Sequence, residues 1–209
     1  ERKKWRDILD RLPSLPANAE GVWMEFSDKG GLWHQWDWTR FMAIFPMELV
    51  GKDHGPALLR EQARKSIEEY YQFRKDPRTD PFASAGFSGA TFAAVLFRMG
   101  DAERGLQLAE NVCAKVSPSG FITNRDAHYF QVDAPPGFSI FINEMLLQSH
   151  GDLLRVFPSA PASVEPVRFH SLRVEGGFLV TAERRENRTQ YVIVQSLCGR
   201  PLRLLNPFV

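Results

Sequence analysis

The residues of this chain that could carry chemistry fall in two stretches. Asn124-Arg125-Asp126-Ala127-His128-Tyr129-Phe130-Gln131-Val132-Asp133 gathers polar groups immediately ahead of Ala134-Pro135-Pro136-Gly137 and an apolar run. A carboxylate on a loop that feeds an inner helix can reach a central cavity, and partial burial there raises its pKa toward acid/base duty. Asp133 is the foremost candidate. The competing role is an N-cap or turn aspartate that satisfies backbone amides ahead of the helix. His128 and Asp126 are metal-ligand types, but without a third ligand nearby a hydrogen-bonded loop histidine is the simpler role.

The second stretch is Trp33-His34-Gln35-Trp36-Asp37-Trp38-Thr39-Arg40-Phe41, with Trp23 and Phe26 just before it. Aromatic faces beside forked polar groups suit a sugar, which presents apolar CH faces and hydroxyl edges. A tryptophan-rich core seam, with indole N–H groups bonded to partners such as Asp37, is the alternative. Other chemistries lack their residues. There is no GxSxG elbow and no GxxxxGK[ST] phosphate loop, and neither Cys113 nor Cys198 has a basic or glycine-rich context.

These groups must be held by elements that the apolar spacing outlines. Trp5, Ile8, Leu9 and Leu12 share one helical face, which Pro13 ends, and 21–26 reads as a short extended segment. Leu59, Ala63, Ile67, Tyr70 and Phe73 mark a helix with one wet face over 56–75. The run 88–99 is apolar nearly all round and predicts a helix buried on most sides. Gly100 then supplies a left-handed stop, and Asp101 a cap for a helix with the stripe Leu106, Ala109, Val112, Cys113 and Val116. A further helix is predicted over 139–150, stopped by Gly151. After Pro158, Pro161 and Pro166 the period becomes strand-like. Short runs at 172–175, 178–183, 190–195 and 202–205 are separated by Gly176-Gly177, Glu186-Asn187-Arg188 and Gly199-Arg200-Pro201.

The pattern predicts a mainly α chain with an all-β tail: helical hairpins over 1–160, then a small antiparallel β module over 161–209. The composition, 44% hydrophobic and 24% charged with a net charge of +1, is that of a globular protein. It holds no like-charge block for a phosphate stripe and no run long enough for a membrane span, so neither nucleic acid nor membrane is expected as a partner. Two cysteines without CxxC spacing predict buried free thiols. The start at Glu1, without methionine or signal h-region, and the end just past a strand suggest that both ends are cut.

Phe130-Gln131-Val132-Asp133 followed by Glu144-Met145-Leu146-Leu147-Gln148-Ser149-His150-Gly151 resembles the late signature of the inverting α-L-fucosidases of glycoside hydrolase family 95. Asp126-Ala127-His128, Ala85-Gly86-Phe87-Ser88, Phe157-Pro158-Ser159-Ala160-Pro161 and Leu172-Arg173-Val174-Glu175-Gly176-Gly177-Phe178 are similar to further steps of that pattern. The family's Gly-Asn-Phe-Gly stands here as Ala134-Pro135-Pro136-Gly137, and its histidine-rich run before Pro46 is replaced.

The resemblance implies an incomplete six-hairpin α/α barrel followed by the start of a C-terminal β domain. It implies inversion, with a glutamic acid protonating the leaving oxygen and a water attacking from the opposite face. Asp133 inherits the aspartate that drives this water, while the acid and helping asparagines would precede Glu1. Asp37 and Arg40 fall where the family has sugar-pocket histidines, His34 lies just outside, and Trp36, His128 and Gln131 complete the implied substrate contacts. No cofactor or metal is implied. The expected partners are a glycan and the remainder of the same polypeptide, and the family favours a periplasmic or secreted location. The alternative is a non-catalytic carbohydrate-binding or interaction module on the same scaffold.

Overall fold

In a computed structural model of the chain, residues 1–25, 39–75, 86–114, 123–124, 129–130 and 134–208 are described. Helix α1 (Arg2–Asp10) buries none of its residues, and its apolar stripe stands in solvent, Trp5 being 62% exposed. The extended segment that follows reduces to one bridge, Ala17 with Trp23. A 3₁₀ turn (Thr39–Phe41) then leads to α2 (Ala57–Lys75), which turns Ala63, Ile67 and Tyr70 inward, as its spacing requires.

Helix α3 (Gly86–Arg98) is the interior element. Every residue from Gly89 to Arg98 is buried, because an apolar surface on all sides has no face to give to water. Gly100 takes the left-handed conformation at φ 81°, and α4 (Ala102–Cys113) returns antiparallel along α3. The contact is close. A Cβ on Gly105 would lie 2.7 Å from Phe97 Cε1, so the ring uses the glycine's missing side chain. Asp101 sits at the N-cap position, yet its carboxylate bonds Arg104 instead of the helix amides.

The predicted buried thiols are corrected. Cys113 ends α4 beyond the buried stripe Gly105, Leu108, Ala109 and Val112, and Cys198 lies in the turn after the last strand; both are exposed.

Strands β1 (Thr123–Asn124) and β2 (Tyr129–Phe130) pair antiparallel ahead of α5 (Ala134–Leu146). That helix begins earlier and stops sooner than its spacing suggests. Pro135 and Pro136 are accommodated in the first turn, where their missing N–H groups cost no helical bond. Leu147–Gln148 leaves the helix as β3 and pairs with β4 (Arg155–Val156). Both strands are buried.

The tail is an antiparallel meander of β5 (Val167–Val174), β6 (Phe178–Arg185) and β7 (Arg188–Ser196). Its turns need positive φ, met by Gly176 and Gly177 at 80° and 79° and by Glu186 and Asn187 at 53° and 57°. β6 alternates strictly, sending Phe178, Val180, Ala182 and Arg184 inward. The fourth predicted strand is only a parallel bridge of Leu204 to Leu154.

Helices and sheet share one hydrophobic cluster, with Phe157 packed edge-on against Phe169 at 5.3 Å. Arg184 ties β6 to the preceding linker through the Ala160, Pro161 and Val164 carbonyls and the Glu165 carboxylate. Among the described residues no helix is long and apolar enough to cross a membrane.

Candidate functional site

Of the expected site residues, Arg40 lies within the described part of the chain. Asp133, His34, Trp36, Asp37, His128 and Gln131 lie outside it. The described chain resumes at Ala134, the residue after Asp133 and the first of α5.

Arg40 leaves the 3₁₀ turn and runs inward, its side chain wholly buried. Its Nη2 donates to Glu69 Oε2 of α2 at 2.7 Å, and its Nε is 3.9 Å from Glu25 Oε1. The guanidinium lies 5.0 Å from the Tyr70 ring centroid and 5.1 Å from that of Phe41, a stacked setting that arginine's planar group fills and lysine's does not. Trp23 is fastened to the same helix: its backbone N–H donates to Ser66 Oγ at 2.7 Å and its indole N–H to Gln62 Oε1 at 3.2 Å. A groove of about 560 Å³ opens beside this cluster, walled by Trp23, Met24, Met42 and Met47, with Glu25 and Arg40 along it.

The other half of the site is the anchorage of α5. Glu144 and Arg98 form a two-pronged pair, Nε to Oε2 at 2.8 Å and Nη2 to Oε1 at 2.9 Å, deep between α5 and α3. Arg98 also donates to the Ile44 carbonyl at 2.9 Å and to Glu48 Oε1 at 3.2 Å. Burial pushes the Glu144 carboxyl above its ordinary range, a pull that the bonds from Arg98 only partly offset. Gln148 Nε2 donates to the Glu144 and Phe97 carbonyls, so its Oε1 faces His150 Nε2 at 3.0 Å. Burial, with Arg98 and Arg155 nearby, lowers His150 to about 3. Arg155 holds Asp53 bidentately at 2.6 and 2.9 Å, and that bonding keeps the Asp53 carboxyl below its usual range.

The residues Glu144, Gln148 and His150 of the motif therefore act on the scaffold. They lock α5 to α3 and leave its first turn directly after Asp133. Sequence reasoning missed Arg98, Glu25 and Glu69 as partners. One signal was present: an arginine closing a wholly buried apolar run must find a carboxylate. Glu25 and Glu69 gave none, since a glutamate beside an exposed-looking segment or on an amphipathic helix is ordinary. Among the described residues no group of three His, Cys, Asp or Glu side chains can hold a metal ion. Compared with protein-family models and with curated proteins, the chain matches none.

Proposed function

We propose that this chain is part of an inverting glycoside hydrolase that cleaves an α-linked sugar, α-L-fucose or a close relative, within an α/α barrel of helical hairpins. Asp133 is the base that activates the attacking water, and the proton donor comes from elsewhere in the same polypeptide. His34, Trp36, Asp37, His128 and Gln131 contact the sugar, and Arg40 lies along the groove.

One observation carries the reading. The buried Arg98–Glu144 pair fixes α5, and the first residue of that helix, Ala134, directly follows Asp133 in the chain. Catalytic groups need such a mount because small misplacements cost large factors in rate. The groove beside Trp23, lined by apolar side chains with Glu25 and Arg40 along it, is compatible with a neutral hydroxylated ligand.

The test is hydrolysis of α-linked aryl glycosides and free glycans by the full polypeptide that contains this chain, with the anomer of the first-formed sugar read by NMR. An inverted product supports the reading. A retained configuration, or no hydrolysis of any α-glycoside together with glycan binding, replaces it with the binding-module alternative or another chemistry.

A further inference from the structure

Two histidines that play no part in the proposed catalysis meet beneath the 47–55 loop. The rings of His54 and His150 lie 4.6 Å apart, and Gly51 is packed so closely against them that a Cβ there would be 2.6 Å from His54 Nδ1 and 3.3 Å from His150 Cε1. Each ring has one nitrogen engaged. His54 Nε2 faces the Glu48 carbonyl at 3.1 Å and His150 Nε2 faces Gln148 Oε1 at 3.0 Å. Both partners are acceptors, so both Nε2 atoms carry the proton and both Nδ1 atoms are bare. Each Nδ1 is buried without a hydrogen-bond partner.

A second proton can therefore go only to Nδ1, and each site answers it differently. On His54 the new N–H would face Asp53 Oδ1, 3.7 Å away, which Arg155 Nη2 holds at 2.6 Å. The histidinium then competes with Arg155 for Asp53. On His150, which is 2% exposed, the new N–H has no acceptor, and the positive charges of Arg98 and Arg155 are close by. The other charged groups around the pair do not relieve this. Glu48 of the loop engages Arg98 and Lys52 lies over Gly100, Glu144 of α5 is held by Arg98, Asp152 lies within the 148–155 turn, and Glu175 directly follows β5.

We propose that His54, His150, Asp53 and Arg155 form a proton-operated latch that holds the 47–55 loop against the 148–155 turn at neutral pH and releases it in acid. Met47, the first residue of the loop, lines the groove, so release of the loop loosens one of its walls.

Hydrogen exchange of the full chain, followed by NMR and corrected for intrinsic rates, tests this. The amides of Gly51 and Lys52 report the latch through their bonds to the His54 and Arg98 carbonyls; Val180 and Ala182 in the central strand report the global fold. Between about pH 7 and about pH 5 protection at Gly51 and Lys52 should fall about tenfold or more and stay below that of the strand amides throughout, as local opening requires. His54→Gln, at a partly buried position, should flatten that dependence, and His150→Gln should do the same if it folds. Equal protection at loop and strand across the range, which would mean that the loop opens only with the whole fold, or an unchanged pH dependence in His54→Gln, overturns the latch.

Discussion

Arg98 and Glu144 face each other across the α3–α5 contact with both carboxylate oxygens and two guanidinium nitrogens engaged, at 2.8 and 2.9 Å. A buried pair of this kind costs most when half of it is removed, because the survivor is left as an uncompensated charge. Glu144→Ala should destabilise the fold by about 3–5 kcal/mol. Arg98→Lys should also weaken it, since an ammonium cannot span both oxygens and the Ile44 carbonyl. Urea unfolding followed by circular dichroism measures both. A change within the noise of a surface substitution would show that α5 is held by its apolar contacts alone.

Arg40 gives a different division between stability and binding. Its side chain has no exposed surface and bonds Glu69, so its first role is to hold the turn to α2. Arg40→Ala should lower unfolding stability by about 3–5 kcal/mol by removing the cation that Glu25 and Glu69 share. Arg40→Lys should recover part of that and not the stacking on Tyr70 and Phe41. Chemical denaturation of both variants decides. A variant of wild-type stability that loses only sugar affinity would return Arg40 to direct contact with the ligand.

Stability should depend on pH through His150. Its ordinary value of 6.5 is lowered to about 3 in the fold, so the unfolded chain takes up the proton first as pH falls. The contribution is fully present above 6.5 and is lost progressively toward about 3. Asp53, held low by Arg155, acts in the same sense below its ordinary 3.8. Glu144, pushed up by burial, acts in the opposite sense: its contribution is present in acid and is lost as pH rises past its folded value. Urea midpoints from about pH 7 to about pH 4 should therefore fall, and His150→Gln should fall less steeply over the same interval.

The fold was legible where one rule acted alone. The all-round apolar run of α3, the Gly100 stop and the inward alternation of β6 follow from spacing and backbone freedom. The C-terminal end of α5 was misread because Leu147 and Gln148 continue the apolar pattern, while pairing with Arg155–Val156 competes for their backbone. Leu204 failed as a strand for the converse reason: its sequence is strand-like, but Leu154 offers it a single bridge. The partners of Arg40 and Arg98 were not legible, since Glu69 and Glu144 are 29 and 46 residues away along the chain. Charge pairing at that range is a property of the packing.

The decisive chemical prediction concerns Asp133, next to the anchored helix. In the full polypeptide, Asp133→Asn should reduce kcat by ~10²–10⁴-fold, the usual range for loss of a general base. Asparagine keeps the shape of aspartate and much of its hydrogen bonding but cannot take the proton of the attacking water. Stability should change little, because the buried bonds that hold α5 come from Glu144 and Gln148. KM should also change little, since the lost interaction belongs to the transition state and not to ground-state binding. If Asp133 instead caps the helix, asparagine substitutes well and the rate stays within a few-fold of wild type. Single-turnover and steady-state assays on an α-linked aryl glycoside, run beside thermal melts of the same pair, separate the two. A large fall in kcat at unchanged melting temperature assigns the base. A variant of near-normal rate removes Asp133 from the mechanism whatever the product anomer.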